Sequence, residues 1–337
     1  MPKPSPTASP VAVVGAGIAG LAAARALVAA GRPVSVFDKA RGVGGRTSLR
    51  RGEAATFDHG AQYFTARDPR FRAEVDGWLE SGHVALWRGR LGAIDAPGEP
   101  TPKADDGTER FVGVPGMNQM ARAMSDGLDV RARARVERLE RAGDAWSIWL
   151  DDGSAIGGFD AVVVTAPTEQ AAALVDGHAP ELARAARSVP MQPCLAAMVA
   201  FDEQLDVPYD GLFVNTGPLS WVARNSSKPG RPDVDAWVLH AGPDFSEERF
   251  AAAPEDTAGA LTEALRDALG LDALPAVTES QAHRWRYSLA APARTDGALA
   301  DPSGLFLAGD WLAGSKVQGA WHSGRAAAEA VLAAART

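Results

Sequence analysis

Two glycine-bearing segments and the charged residues near them have the types and spacing to do chemistry. The first, GAGIAG at 15–20, is a G-x-G-x-x-G. In that spacing Gly15 permits a tight turn, Gly17 lets backbone approach a pyrophosphate, and Gly20 lets a helix lie close on a strand. Ala16, Ile18 and Ala19 complete a turn into a helix whose free N–H groups and partial positive charge suit phosphate. Asp38 follows 18 residues beyond Gly20, where a carboxylate would accept ribose hydroxyls. KARGVGGRTS at 39–48 then supplies Lys39, the pair Gly44-Gly45, and Arg46, a fixed cation for the same pyrophosphate. The second segment, GDWLAGSKVQGAW at 309–321, sets Gly309, Asp310, Lys316 and Gly319 between an apolar run and an alanine-rich stretch.

These residues need elements to hold them. Val11–Val14 reads as a buried parallel strand, 18–30 as a helix stopped by Gly31 and Pro33, and Val34–Asp38 as the next strand. Asp68-Pro69 reads as an N-cap with proline at the first helical position, followed by an apolar face of Phe71, Val75, Trp78 and Leu79. Residues 92–110, rich in Pro, Gly and charge, read as a loop or excursion. A short helix over 116–124 precedes a strand over 130–136, and 146–150, DDGS and 159–165 read as strand, turn and strand. From 168 to 290 the pattern changes to strands at 195–201, 221–225 and 237–240 and one helix at 257–269. A buried strand at 304–308 and a helix over about 319–335 close the chain.

With 337 residues, 46% of them hydrophobic, the chain has material for two domains. Its net charge of −8 argues against non-specific nucleic-acid or anionic-membrane partners. The one cysteine, Cys194 in CLAAMVAF, excludes an internal disulfide and reads as a buried strand thiol. Residues 1–10 read as disordered. The run from Val11 reads as structure rather than a signal segment, because it carries the glycine spacing and an arginine. No uncharged apolar stretch reaches membrane-spanning length, so the expected location is cytoplasmic. Without HExxH, CxxC or a paired-carboxylate motif, no metal is expected.

GAGIAG, a strand-terminal acid and R-x-x-GGR together resemble the double fingerprint of the flavin amine oxidase superfamily. FDHGAQYF at 57–64 is similar to the loop that runs past the flavin ring there. LFLAGDW…VQGAWHSG is similar to the C-terminal flavin motif, whose Asp meets the ribityl chain or pyrophosphate. Within the superfamily, V-x-D-K-A-x-x-x-GGR followed by D-x-GAQYF most resembles the renalase group, over about residues 11–66 and 300–335.

The resemblance implies an α/β fold. A Rossmann-like FAD-binding domain of the glutathione-reductase/p-hydroxybenzoate-hydroxylase type would comprise 11–75, 110–166 and 291–337. An inserted α+β substrate domain, built on an antiparallel sheet, would comprise 76–109 and 167–290. It implies FAD, held non-covalently. To the glycines and charged residues above it adds Gly60, Ala61, Gln62, Val136, Val317 and Gln318 as cofactor contacts. Tyr63, Asn225, His240 and Trp285 are implied to line the substrate cavity. His240 in AWVLHAG equally suits a hydrogen-bonded core histidine. Trp285 and Tyr287 share a strand face that simple packing also explains, and Trp321 and His322 either close the flavin end or pack.

The implied reaction takes hydride from 2- or 6-dihydro isomers of NAD(P)H to flavin N5, giving NAD(P)+ and, with O2, hydrogen peroxide. The partners are then a dihydronicotinamide nucleotide and O2, with no nucleic acid and no membrane. One departure matters: lysine occurs only at 3, 39, 103, 228 and 316. None lies in the 230–315 stretch where amine oxidases usually hold a lysine near N5. An amine or amino-acid oxidase or a desaturase is the alternative enzyme, and a non-catalytic flavin-binding module the alternative of another class.

Overall fold

The structure is a computed structural model that describes residues 9–290 and 293–336. The expected disorder of 1–10 therefore lies largely outside the described residues. Among them two large sheets dominate. The first has six strands in the order Leu299–Asp301, Leu305–Leu307, Ala161–Val164, Val11–Val14, Val34–Asp38, Asp129–Ala132. All its pairs are parallel except the first. A sheet covered on both faces needs apolar residues of both parities, which is why VAVV, AVVV and LFL are buried throughout. Val11, Val13, Val34 and Val36 enter one core; Ala12, Val14 and Phe37 enter the other.

The first core is built by the helices Ile18–Ala29 and Val317–Ala334. Their alanine and glycine content permits close approach: a Cβ on Gly324 would lie 2.0 Å from the Ala19 carbonyl oxygen. Gly31, at φ +83, turns the chain after the first helix as expected. The N-cap at Asp68 forms too, its Oδ1 accepting from the amides of Arg70 and Phe71, and the helix runs Pro69–Glu80. The expected strand over 130–136 is shorter. Arg133, at φ +56, ends the parallel strand at Ala132, and a new antiparallel strand, Val136–Ala142, begins a three-stranded sheet with Ala145–Leu150 and Ala155–Phe159.

The second large sheet has seven strands: Val277–Ala290, Met191–Phe201, Ala236–Ala241, Leu219–Arg224, Gly211–Val214, Leu91–Ile94, Pro100–Pro102. Only the pairing of Gly211–Val214 with Leu91–Ile94 is parallel. Helix Pro254–Leu269 covers one face, where Leu195, Ala197, Val199, Trp237 and Leu239 form a core. Two expectations change here. Part of 92–110 is not loop, because its short strands extend this sheet. Residues 168–187 form the helices Thr168–Val175 and Pro180–Arg187. Ala171, Ala172, Val175, Leu182, Ala183 and Ala186 pack into the core under the parallel sheet. The crossing into the second sheet therefore falls near Met191 rather than at 167. Pro180–Arg187 does carry helix signals, with proline at its start, Glu181 in the first turn, and Leu182, Ala183 and Ala186 on one face.

Candidate functional site

A cavity of about 2460 Å³ runs between the two sheets. It exceeds the ~300–1,000 Å³ usual for one small ligand, so it has room for a dinucleotide and a substrate together. One end is the glycine turn. Gly15 takes φ +109 and donates its amide to Phe37 O at 2.8 Å. A Cβ on Gly20 would lie 1.9 Å from Gly15 O, so Gly20 lets the helix seat on the turn. A Cβ on Gly17 meets nothing within 4 Å, because that residue faces the open cavity. The second glycine pair is stitched to the first turn: Gly44 donates to Ala16 O at 2.9 Å, and Gly45 lies against Gly17.

Asp38 lines the cavity and accepts from the Ala16 and Ala40 amides at 2.6 and 2.7 Å. A carboxylate accepts about four hydrogen bonds, so it keeps capacity for ribose hydroxyls. Both helices that open onto the cavity, at N-caps Gly17 and Lys316, lack a side-chain cap and have no acidic residue in the first turn. Their leading N–H groups remain available to an anion.

The cradle left open by Gly17, the two uncapped helix starts and the spare acceptors of Asp38 fit FAD. Lys39, Gly44, Gly45, Gly60, Ala61, Gln62, Val136, Gly309, Lys316, Val317 and Gln318 also line the cavity, as do Ile18 and Ala19. Ala16, Gly20 and Gly319 do not. Gly319 is a packing glycine, since a Cβ there would lie 2.1 Å from Ala313 O. Arg46 and Asp310 line the cavity too and are paired with each other, and Arg46 also donates to Ser288 O.

The other end of the cavity is a rung of the seven-stranded sheet. Phe213 pairs with Trp221, Trp221 with His240, His240 with Ala196, and Ala196 with His283. Paired residues point to the same face, and these four ring-bearing side chains line the cavity. Ala196 leaves space between the histidines. Opposite stands the 57–64 loop. The His59 carbonyl accepts from Trp285 Nε1 at 2.9 Å and from His240 Nε2 at 3.1 Å, so the His240 proton sits on Nε2. The His59 ring stacks on Trp285, with centroids 5.0 Å apart, and meets His283 edge-on.

All three histidines are held neutral. Burial, then His283, Arg50 and His240, pull His59 down to about 3. Burial lowers His240 to about 4. Burial, Arg50 and Arg284 lower His283 to about 4, and Arg50 donates to its Nδ1 at 3.3 Å. Such rings are weak bases at neutral pH. Cys194 is equally inert, with burial pushing its thiol up to about 12.

Tyr63, His240 and Trp285 thus come together at the cavity. Asn225 does not. It is fully buried in the turn after Leu219–Arg224, donating to Thr56 O at 2.6 Å and accepting from the Asp58 amide and Lys228. Ser220 and Trp221 line the cavity from that strand instead. Trp321 and His322 lie outside the cavity lining, Trp321 packing on Phe71 and His322 beside Asp68.

The sequence reading also missed Lys228, wholly buried behind the loop and bonded to Asp58, Gln62 and Asn225. Burial favours a protonated Asp58, but Lys228 and Arg231 outweigh it and hold the carboxyl below its usual range. Burial lowers Lys228 to about 8. Lys228 lies in the polar run RNSSKPGRPD at 224–233, so no sequence signal marked it as buried.

The chain belongs to the flavin containing amine oxidoreductase family, whose model matches residues 99–332; a NAD(P)-binding Rossmann-like domain matches residues 13–77. FAD, the flavin used by this family, is the cofactor that the cavity lining fits. A putrescine oxidase of Kocuria rosea is 47% identical over 66 residues, which are 20% of this chain and 14% of that protein. A 4,4'-diapophytoene desaturase (4,4'-diaponeurosporene-forming) of Staphylococcus haemolyticus is 52% identical over 50 residues, 15% of this chain and 10% of that protein. The matches thus span a small part of either relative. The fold is similar to that of a putative protoporphyrinogen oxidase from Exiguobacterium sp. 255-15, with TM-score 0.76, 14% identity, and coverage of 96% of this chain and 99% of that one. It is also similar to putrescine oxidase bound to putrescine, with TM-score 0.70, 15% identity, and coverage of 96% and 99%. Among the described residues no helix is long and apolar enough to cross a membrane.

Proposed function

We propose that the protein is a renalase-type oxidase, taking hydride from 2- or 6-dihydro isomers of NAD(P)H and releasing NAD(P)+. The observation that carries this is the substrate wall: Tyr63, Trp221, Trp285 and three histidines held neutral, with no effective base among them. A dihydropyridine that loses hydride becomes an aromatic cation and has no proton to surrender, so such a wall suffices. FAD, held by these residues, would supply the two-electron acceptor, so that the donated hydride, one proton and O2 balance as hydrogen peroxide.

The chain's own residues hold and orient. In this reading the 15–19 turn and its helix start meet the pyrophosphate, Asp38 the adenosine ribose, and the start of the final helix the flavin ring end. The Arg46–Asp310 pair fixes the two walls between them. His240 and Trp285, both anchored on the His59 carbonyl, orient the donor ring against the flavin. The seven-stranded sheet is then the substrate domain, inserted into a dinucleotide domain of glutathione-reductase type.

Anaerobic stopped-flow reduction of the FAD-loaded protein tests the reading. The flavin should bleach with 2- or 6-dihydro-NAD and remain oxidised with amines. Bleaching by putrescine or another amine, and not by the dihydronicotinamides, would instead establish the amine-oxidase alternative that the relatives' names suggest.

A further inference from the structure

The cavity is far more basic than the chain. Among the described residues, thirteen Lys and Arg side chains line it against four Asp and Glu, although the chain carries a formal net charge of −8. Some of these cations flank the glycine turns, where they face the cofactor's own phosphates. Lys103 and Arg110 do not. They belong to the segment between the strands Pro100–Pro102 and Phe111–Gly113, at the substrate end.

There they bracket an aromatic wall. Lys103 Nζ stands 4.5 Å from the Phe213 ring centroid; Phe213 contacts Trp221 at 4.7 Å, and Trp221 contacts Tyr63 at 5.8 Å. Arg110 stands over the other end, 5.7 Å from Tyr63. Arg110 is positioned by a 2.9 Å bond to Thr108 O and a long 3.4 Å contact with Asp106, while its buried Nε has no partner among the described residues. Asp106 is the only lining carboxylate on this segment. The main chain is anchored at both ends, Lys103 N on Leu91 O and Phe111 N on Phe64 O.

We propose that Lys103 and Arg110 form a binding subsite for a phosphate group of the substrate, so that this segment selects anionic donors and repels cationic amines. A flat ring lying on Phe213, Trp221 and Tyr63 would carry its phosphate to either cation. An amine cation entering the same space meets two like charges, of which, among the described residues, Arg110 alone has a carboxylate, Asp106, beside it. The inference rests on the proposed nucleotide donor for the identity of the ring, but not for the charge.

The test needs no turnover. FAD-loaded protein is titrated with nicotinamide mononucleotide and with nicotinamide riboside, which differ by one phosphate, and flavin absorbance is followed. The mononucleotide should bind about tenfold more tightly, and the gap should shrink with added salt. In Lys103→Gln/Arg110→Gln the gap should close to about twofold. Lys103→Gln alone, at an exposed position, should close part of it with FAD retained. Equal affinities in the wild type, no detectable mononucleotide binding, or a gap that survives in the double variant overturns the subsite. If the gap behaves as expected while dihydronicotinamides fail to bleach the flavin, the subsite stands and the proposed reaction is what fails.

Discussion

Arg46 and Asp310, 264 residues apart in the chain, form a two-pronged ion pair at 2.5 and 3.0 Å on the cavity wall. The pair joins the second glycine segment to the start of the C-terminal flavin motif. Asp310 is nearly buried, whereas Arg46 keeps about a third of its side chain exposed. Asp310→Ala should therefore lower FAD affinity at least about tenfold and cost on the order of 1–3 kcal/mol of stability. Flavin retained on dilution and thermal melting measure the two effects; unchanged FAD affinity would refute the pair's role. A cycle with Arg46→Gln should show coupling of about 1–3 kcal/mol.

Gly17 and Gly20 should fail differently. Gly17→Ala adds a methyl into open cavity, so the protein should fold with near-wild-type stability yet load FAD poorly. Gly20→Ala drives a methyl into Gly15 O, 1.9 Å away, and should destabilise the fold by about 1–3 kcal/mol or more. Melting of the apoproteins beside flavin loading separates them; similar melting temperatures would contradict this geometry.

The histidine cluster sets an acid limit. His59, His240 and His283 titrate near 3 to 4 in the folded protein and near 6.5 unfolded. The unfolded chain binds more protons between these values, so the stabilisation is complete above about pH 6.5 and is lost as pH falls toward 4. Asp58, also lowered, loses its contribution only below the ordinary carboxylate range and leaves this window alone. Denaturant midpoints from pH 7.5 to 4.5 should fall by the equivalent of a few kcal/mol, and His283→Gln should flatten the slope. A flat wild-type profile would show the rings are not held neutral.

Lys228→Met should leave Asp58 with Arg231 alone in a buried setting, at a cost on the order of 3–5 kcal/mol. Because Gln62 links Lys228 to the cavity, the flavin spectrum of any folded variant should shift. If Lys228 instead worked directly at the flavin, reduction would slow greatly with no change in melting temperature.

Local chemistry made much of the dinucleotide end legible. GAGIAG, Asp38 and the Asp68 cap depend on backbone conformation and on partners within a few residues or one βαβ unit, so spacing alone locates them. The substrate end obeyed no such rule. Period-two alternation places His240 and Trp285 on strand faces. Only the register between strands sets Phe213, Trp221, His240, Ala196 and His283 in one rung, and a slip of one residue would turn each to the other face. Asn225 lies just beyond its strand, where the turn carries it into the buried Asp58–Lys228 cluster. The sequence by itself determined the cofactor turn and the alternation of each strand. The tertiary structure decided that Arg46 meets Asp310, that Lys228 lies behind the loop, and that two cations bracket the aromatic wall. Those contacts join residues between 47 and 264 positions apart, and no local propensity specifies such pairings.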